Sequence, residues 1–296
     1  MKRPGSPGSG RGGGAGRRAD GRGRGAEGRG GGRRAEGRAG GAGRAGAGEL
    51  GGEQVEGRQA VRELLSAGRR RVREVWLAEG LDGRDAVTDI VEMARSSGVP
   101  IRPVTRGRID ASAGTSASQG VVAFAEAVAG VDLAVLTRRA TGTRPPFLVA
   151  FDGVTDPHNL GALMRTAVCA GATGVVLGRH RSAHLSPAAV KAAAGAVEHL
   201  PIAVVAGIPA ALVDLNEAGV WTVGLDADGE RTLWDLEVAT EPVALVLGSE
   251  GKGLSRLARQ RCEVVVRIPM EGSLSSLNVA AAGALACFEI ARRRGY

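Results

Sequence analysis

Residues that could do chemistry are concentrated in three short segments of the second half of the chain, the first being DGVTDPHNLGALMRTA. This segment carries Asn159 and, six residues later, Arg165, a spacing that places the two on adjacent faces of a helix. Asn159 could equally be a helix N-cap. Arg165 follows the apolar pair Leu163 and Met164, so we expect its guanidinium to need a carboxylate or phosphate partner. On its own, the segment is compatible with a capped helix that carries an ordinary ion pair.

The second segment, GSEGKGLS, is a glycine-rich loop in which the backbone could approach a ligand closely. Gly248, Gly251 and Gly253 permit tight conformations, and Glu250 supplies a carboxylate. The loop is not a phosphate-binding P-loop, because two residues instead of four separate Gly248 from the Gly-Lys pair. It also lacks the GxGxxG dinucleotide pattern. The alternative is a plain tight turn in which Glu250 is a solvated acid or belongs to the first turn of the next helix.

The third segment, PMEGSLSSLNVAAAGALACFEIARR, places Ser276 and Asn278 at the start of a predicted helix. Taken alone, both are ordinary polar residues of a helix start. Residues 280–286 of this helix are small, which allows close packing against another helix or a second copy of the chain, although compositional bias would produce the same run.

Each of the three segments follows a short apolar run that is typical of a buried parallel strand. From Phe147 onward, the runs FLVAF, GVVL, IAVV, VWTVGL, VALVL and VVVRI alternate with helical segments, which predicts an α/β fold with a parallel sheet. The strands predicted at 147–151, 243–247 and 263–268 directly precede the three segments. Because ligands bind beyond the carboxyl ends of parallel strands, we expect the three segments to meet at one edge of the sheet.

The first half of the chain predicts a smaller module. Residues 53–126 alternate helical and strand patterns, which predicts a small α/β domain. Residues 127–146, ending in TGTRPP, predict a linker with room for a short helix. The second domain then spans residues 147–296.

The net charge of the chain resides in its first 50 residues. They hold 12 of the 39 Lys and Arg but only 4 of the 31 Asp and Glu, which equals the whole formal net charge of +8. With 20 of the 48 glycines and no aromatic residue, the segment predicts a disordered tail. Its Arg-Gly repeats suit nonspecific contact with RNA phosphates, and compositional bias is the alternative explanation.

Cysteine usage and hydropathy exclude several classes of protein. Three cysteines at scattered spacings predict neither a disulfide framework nor a zinc site. The basic N-terminus lacks the apolar stretch of a signal peptide, and the longest uncharged run, residues 273–288, is too short to span a bilayer. We therefore expect a cytoplasmic protein without a metal and without a membrane span.

In this order and after these strands, the three segments resemble the motifs of the SpoU (TrmH-like) family of RNA 2′-O-ribose methyltransferases, within the SPOUT class. The resemblance covers residues 55–296, and VEGRQAVRELL and SQGVVA are similar to the family's small substrate-binding domain. It is greatest to the members that methylate a guanosine of 23S ribosomal RNA. A single motif would be weak, whereas three that each follow a predicted strand are specific. One departure is Ser118 before Gln119, where a His is common in the family.

The resemblance implies S-adenosylmethionine as the methyl donor, RNA as the substrate, a homodimer, and a deep trefoil knot in the second domain, which is an exception to the rule against threaded chains. It implies five functional polar positions: Asn159, Arg165, Glu250, Ser276 and Asn278. It also implies a donor site formed by Leu247, Gly248, Glu250, Gly253, Ile268, Met270, Leu277 and Asn278.

The implied reaction is an in-line attack of a ribose 2′-oxygen on the sulfonium methyl of the donor. A guanidinium with a pKa above about 12 is a poor base at neutral pH, so we expect Arg165 to stabilise the adjacent phosphate and the developing alkoxide. Asn159, Ser276 and Asn278 would orient ribose and donor by hydrogen bonds. The competing hypotheses are a noncatalytic RNA-binding or ribosome-assembly protein of the same fold, a nucleotide-binding protein that uses the glycine loop, and a methyltransferase acting on transfer RNA.

Overall fold

The computed structural model describes residues 50–81, 85–115, 118–138, 144–180, 184–273 and 276–295. The tail predicted for residues 1–50 lies outside this description except for Leu50. The predicted class is confirmed, because a small α/β domain precedes a domain built on a large parallel sheet. None of the helices in these ranges combines the length and the apolar character that a bilayer span requires.

The small domain is a four-stranded sheet with helices packed on it, in the strand order β1-β4-β2-β3. Strand β4 pairs antiparallel with both β1 and β2, and β2 pairs parallel with β3. Its elements are β1 (Gln54–Glu56), α1 (Arg58–Ala67), β2 (Val72–Ala78), α2 (Asp85–Ser96), β3 (Ile101–Val104), α3 (Arg106–Ser112) and β4 (Val121–Ala125).

A short helix, α4 (Leu133–Leu136), lies in the stretch predicted as a linker and leads into the second domain. There, seven strands form a wholly parallel sheet in the order β7-β6-β5-β10-β8-β11-β9. The strands are β5 (Phe147–Asp152), β6 (Gly174–Gly178), β7 (Ile202–Val205), β8 (Trp221–Leu225), β9 (Arg231–Thr232), β10 (Val243–Gly248) and β11 (Val264–Arg267). The helices are α5 (Pro157–Cys169), α6 (Pro187–Ala192), α7 (Ile208–Glu217), α8 (Arg256–Arg261) and α9 (Val279–Arg293), with short 3-10 turns at Ala196–Glu198, Leu233–Asp235 and Glu237–Thr240.

The central strands of this sheet are buried on both faces, which is why their sequences are continuously apolar instead of alternating. All six residues of β10 are buried, as are the first five of β5. Phe147 and Phe151 of β5 are among the largest side chains with no exposed surface. Helices α5 and α9 cover one face and contribute Leu163, Met164 and Ile290 to the core.

The strand order decides where the functional segments lie. Strand β10 is central, with β5 on one side and β8 on the other. In the register, Gly248 at the end of β10 pairs with Asp152 at the end of β5, and Leu247 pairs with Leu225 at the end of β8. The loops after these strands, which are remote in sequence, therefore leave the sheet side by side.

The small domain contacts the parallel-sheet domain through a buried ion pair. Nε of Arg70, which precedes β2, donates to Oε2 of Glu198 at 3.0 Å. The same guanidinium donates to the carbonyl oxygen of Gly52 at 2.9 Å and to that of Glu126 at 2.7 Å. These bonds join three segments of the small domain to the turn that follows α6.

Candidate active site

Three side chains from the three predicted segments form one hydrogen-bonded cluster. Nδ2 of Asn159 donates to Oε2 of Glu250 at 3.1 Å. Nδ2 of Asn278 donates to Oε1 of Glu250 at 3.1 Å and to Oδ1 of Asn159 at 3.2 Å. These residues lie up to 119 positions apart in the chain, so their convergence follows from the strand order and not from local sequence.

Asn159 is available for this cluster because another residue caps its helix. The side chain of Asp156 is the N-cap of α5 and accepts from the backbone N–H of His158 and of Asn159, and Pro157 occupies the first turn, where its missing N–H costs nothing. The N-cap alternative for Asn159 is therefore wrong.

Asn278 has two functions in one side chain. Its Oδ1 caps α9 by accepting from the backbone N–H of Ala280 at 2.8 Å and of Ala281 at 3.4 Å. Its Nδ2 is directed to the cluster with Asn159 and Glu250. Because the cap fixes the oxygen, it also fixes the direction of the amide group.

The glycine-rich loop has a closed geometry that requires its glycines. Ser249 and Gly253 exchange two backbone hydrogen bonds, of 2.9 and 3.0 Å, and thereby close a tight turn around Glu250. Gly251 and Gly253 have φ values of 76° and 64°, in the left-handed region. A Cβ atom on Gly248 would overlap the backbone of Gly253. The turn therefore presents Glu250 at a defined position above the end of β10.

Beside the cluster lies a pocket of about 310 Å³. All of the residues predicted for a donor site line it except Asn278, which is hydrogen-bonded to the lining residue Glu250. The predicted residues at its wall are Leu247, Gly248, Glu250, Gly253, Ile268, Met270, Ser276 and Leu277. Met270 and Leu277 are 40% and 41% exposed, so the pocket offers exposed apolar surface.

The loop after β8 also lines this pocket, and the sequence interpretation missed it. Leu225, Asp226, Ala227 and Asp228 form that wall. Asp226 forms an ion pair with Arg259 at 2.9 Å, and its Oδ2 accepts from the backbone N–H of Leu254 at 3.4 Å. The signal available was the strand VWTVGL, because a loop that follows a parallel strand belongs to the ligand-binding edge.

Asp152 and Cys262 lie near the loops of the site and have structural roles. Oδ2 of Asp152 accepts from the backbone N–H of Ser255 at 2.7 Å, which ties the end of β5 to the start of α8. Burial, followed by the charge of Asp152, raises the pKa of the Cys262 thiol to about 12. Cys262 is therefore a neutral packing group and not a nucleophile at neutral pH.

Arg165 lies outside the donor pocket and is not part of the cluster of Asn159, Glu250 and Asn278. Its side chain is exposed and lines a separate hollow with residues of α1 and of the turn after α6. Leu163 and Met164 point into the core while Arg165 points away from it, so the apolar residues that precede Arg165 in the sequence do not surround its guanidinium. Within the described part of the chain, its guanidinium has no ion-pair partner, which leaves it available to a ligand. The same part of the chain holds no cluster of three or more His, Cys, Asp or Glu suited to a metal.

Comparison with known proteins identifies the family. Residues 146–288 match the sequence profile of the SpoU rRNA Methylase family, and residues 54–129 match that of the RNA 2′-O ribose methyltransferase substrate binding domain. The chain is 40% identical over 242 residues to the 23S rRNA (guanosine-2′-O-)-methyltransferase RlmB of Pseudomonas syringae pv. tomato, covering 79% of this chain and 93% of that protein. The chain belongs to the SpoU methylase family. The resemblance inferred from the three motifs is thereby confirmed.

Other members of the SpoU family agree with this assignment. RlmB of Pseudomonas aeruginosa is 41% identical, with coverage of 79% of this chain and 94% of that protein. Among solved structures, the SpoU methyltransferase AviRb from Streptomyces viridochromogenes in complex with the cofactor AdoMet superposes with a TM-score of 0.68 at 27% identity, over 81% of this chain and 90% of that one. The AdoMet-bound rRNA methyltransferase from Sinorhizobium meliloti gives a TM-score of 0.65 at 26% identity, over 82% and 87% of the two chains.

Proposed function

We propose that this chain transfers a methyl group from S-adenosylmethionine to the ribose 2′-hydroxyl of a guanosine in 23S ribosomal RNA. The observation that carries the proposal is the cluster of Asn159, Glu250 and Asn278 beside the pocket, whose wall includes Glu250. A capped helix or a plain turn would not require three remote polar side chains to converge beside an open apolar pocket. The relatives named as 23S rRNA guanosine methyltransferases supply the substrate class.

The pocket fits the chemistry of the donor. An adenine ring needs apolar contact together with a few polar groups that fix its orientation. Ile268, Met270 and Leu277 supply the apolar walls, and the loop that contains Gly248 and Gly253 brings its backbone to the edge of the pocket. When bound, the donor contributes an activated methyl group on a sulfonium.

The cluster orients groups and does not itself break bonds. Both oxygens of Glu250 accept from amide N–H groups, so the carboxylate fixes which end of each amide faces the substrate. We assign Asn159 and Asn278, together with the pocket residue Ser276, to positioning the ribose and the methyl group for in-line transfer. Arg165, with an exposed guanidinium that has no ion-pair partner among the described residues, holds the RNA phosphate and stabilises the charge that develops on the 2′-oxygen.

We assign RNA binding to the small domain and the basic tail. Residues 54–129 match a substrate-binding domain of RNA 2′-O ribose methyltransferases, and this domain is joined to the catalytic domain by the buried pair of Arg70 and Glu198. Arginines of residues 1–50 add contacts with phosphates that do not depend on sequence. An enzyme that acts on ribosomal RNA works in the cytoplasm, and we place this protein there.

We further propose a homodimer that forms through α9. Ala281, Leu285 and Phe288 lie on one exposed face of the helix, and the latter two are 43% and 49% exposed. An exposed apolar stripe of this kind marks an interface, and a second copy of the chain would bury it symmetrically. Sedimentation at micromolar concentration should give a dimer, and Phe288→Glu should shift it to a monomer. A wild-type monomer that still methylates RNA would refute the proposal.

Family membership also supports a deep trefoil knot in residues 147–296, which we propose for this chain. The helix after Asn278 contacts both α5 and β10, so one of its faces packs against the parallel-sheet domain.

The test combines donor binding with mapping of the methylated position. The purified chain should bind S-adenosylmethionine in calorimetry and should transfer a labelled methyl group to 23S rRNA from a strain that lacks the gene. Mapping ribose methylation in that RNA before and after the reaction identifies the nucleotide, and transfer RNA from the same strain is the control substrate. Transfer to a base, to transfer RNA alone, or to nothing would contradict the proposed reaction.

A further inference from the structure

A second hollow, of about 300 Å³, lies where α1 of the small domain meets α5 and the turn after α6. Gln59 and Glu63 line it from α1, Arg165 from α5, and His199 from the turn, with small residues such as Ala194 between them. Its volume is at the lower end of the range for small-molecule sites, about 300 to 1,000 Å³. It shares no lining residue with the donor pocket.

The carboxylate of Glu63 has three side-chain neighbours. Its Oε1 accepts from Nε2 of Gln59 at 2.6 Å and lies 3.7 Å from Nη1 of Arg62, and its Oε2 lies 2.9 Å from Nε2 of His199. The Glu63 side chain is only 22% exposed. A carboxylate oxygen has about two acceptor sites, so each oxygen retains one after these bonds. The hollow therefore contains a pre-oriented pair of acceptors.

The turn after α6 packs closely against the aliphatic part of the Glu63 side chain. Ala194 and Gly195 both have positive φ values, of 49° and 89°. A Cβ atom on Gly195 would overlap the side chain of Glu63. A left-handed conformation is rare for alanine and costs free energy, so the packing around Glu63 must compensate for it.

Two adjacent acceptors select one base among the four of RNA. Guanine carries two neighbouring donors, the N1–H and the 2-amino group, on its Watson–Crick edge. Adenine and cytosine present a ring-nitrogen acceptor on that edge, and uracil presents a single N–H between two carbonyl groups. Proteins read unstacked RNA bases by hydrogen bonds to this edge and by stacking on arginine planes. Only guanine satisfies both oxygens of Glu63.

We propose that this hollow binds the guanine base of the target nucleoside, with Glu63 accepting from its N1–H and 2-amino group and with the ribose-phosphate lying against Arg165. The assignment rests on the proposed function, since it names the base that the same reaction selects. Arg165 is six residues beyond Asn159 on α5, a rise of about 9 Å. The hollow and the cluster at the donor pocket are therefore less than two turns apart along the same helix.

The test compares guanosine with inosine, which lacks only the 2-amino group, at the mapped position of a short transcript. Single-turnover transfer by the wild-type protein should be about tenfold or more slower on the inosine transcript, the loss expected for one hydrogen bond to a charged acceptor. Glu63→Gln should slow transfer to guanosine and should bring the two rates close together, because an amide cannot accept from both donors.

Glu92→Gln is the matched control, since it makes the same acid-to-amide change on an exposed position of α2 in the same domain. It should keep the wild-type ratio of the two rates. Equal wild-type rates on the two transcripts, or an unchanged ratio in a folded Glu63→Gln protein, would overturn the assignment of the base while leaving methyl transfer intact. Absence of transfer to any transcript would instead contradict the proposed function. The wild-type comparison needs no variant, so equal rates would overturn the assignment even if Glu63→Gln fails to fold.

Discussion

Arg70 and Glu198, 128 positions apart, form an ion pair whose side chains are only 7% and 2% exposed. A buried charge is costly unless it is paired and hydrogen-bonded, and here the guanidinium also satisfies two backbone carbonyl groups. The pair therefore specifies one docking position of the small domain on the catalytic domain. A fixed position is needed if residues of α1 and α5 are to act on the same nucleoside.

Loss of one partner of this ion pair should lower the free energy of unfolding. We expect Arg70→Ala to lower the free energy of unfolding by about 3 to 5 kcal/mol, because it leaves the carboxylate of Glu198 buried and unpaired. Urea denaturation measures the change. The neighbouring exposed Arg71→Ala should stay within about 0.5 kcal/mol of wild type. The double variant Arg70→Met with Glu198→Leu should recover much of the lost free energy of unfolding. An Arg70→Ala protein with wild-type stability would show that the pair contributes little.

The two functions of Asn278 can be separated. Asn278→Ser retains an N-cap oxygen for α9 but has no amide to donate to Asn159 and Glu250, so we expect a near-wild-type melting temperature and a clear loss of methyl transfer. Asn278→Ala loses both functions and should in addition lose about 1 kcal/mol of stability. Thermal unfolding and single-turnover transfer are measured on the same samples. If the serine variant transfers methyl groups at the wild-type rate, the cluster is structural only.

The sequence predicted the parallel sheet and the three motif segments because buried parallel strands appear as continuous apolar runs and the motifs follow them directly. It did not show the wall formed by Leu225–Asp228, since that loop joins the site only through the non-sequential strand order. Helical periodicity alone would have predicted that Arg165 is exposed. Leu160, Leu163, Met164 and Ala167 form the buried stripe of α5, and Arg165 lies off it.

The three cysteines should differ sharply in reactivity. Burial raises the pKa of Cys287 to about 12, and that of Cys262 is raised to about 12 by burial and then by Asp152. Because the thiolate is the reactive form, fewer than about one in a hundred of these thiols is ionised at pH 9. Iodoacetamide at pH 7 to 9 should therefore modify the exposed Cys169 alone. Peptide mapping by mass spectrometry checks this, with urea-unfolded protein as the control in which all three react. Labelling of Cys287 in the folded protein would contradict the burial.

The basic tail should act through salt-dependent RNA affinity. Deletion of residues 1–48 removes 12 basic residues and retains Leu50, whose backbone N–H donates to the carbonyl oxygen of Val128 at 3.0 Å. We expect unchanged donor binding, weaker RNA binding, and a smaller slope of log affinity against log salt, by about 0.7 for each single-stranded phosphate that the tail neutralises in the full chain. A tail of equal length with Gln in place of Arg is the matched control and should behave like the deletion. Identical slopes for all three proteins would exclude RNA binding by the tail.

Arg165 provides the sharpest distinction between a catalytic and a structural role. Its side chain is exposed and has no ion-pair partner within the described residues, so Arg165→Ala should change the free energy of unfolding by less than about 0.5 kcal/mol. Donor affinity should stay near the wild-type value as well, because Arg165 does not line the donor pocket. Methyl transfer should nevertheless fall by about 100-fold or more, the usual cost of removing a group that stabilises developing charge.

Arg165→Lys should remain impaired, since a point charge cannot reproduce the planar fork of a guanidinium on a phosphate. Single-turnover transfer, calorimetry and thermal unfolding on the same preparations separate these effects, and Arg138→Ala, a change of another exposed arginine, is the control. Wild-type transfer by Arg165→Ala would remove this residue from the active site and would leave the hollow around it without a link to the reaction.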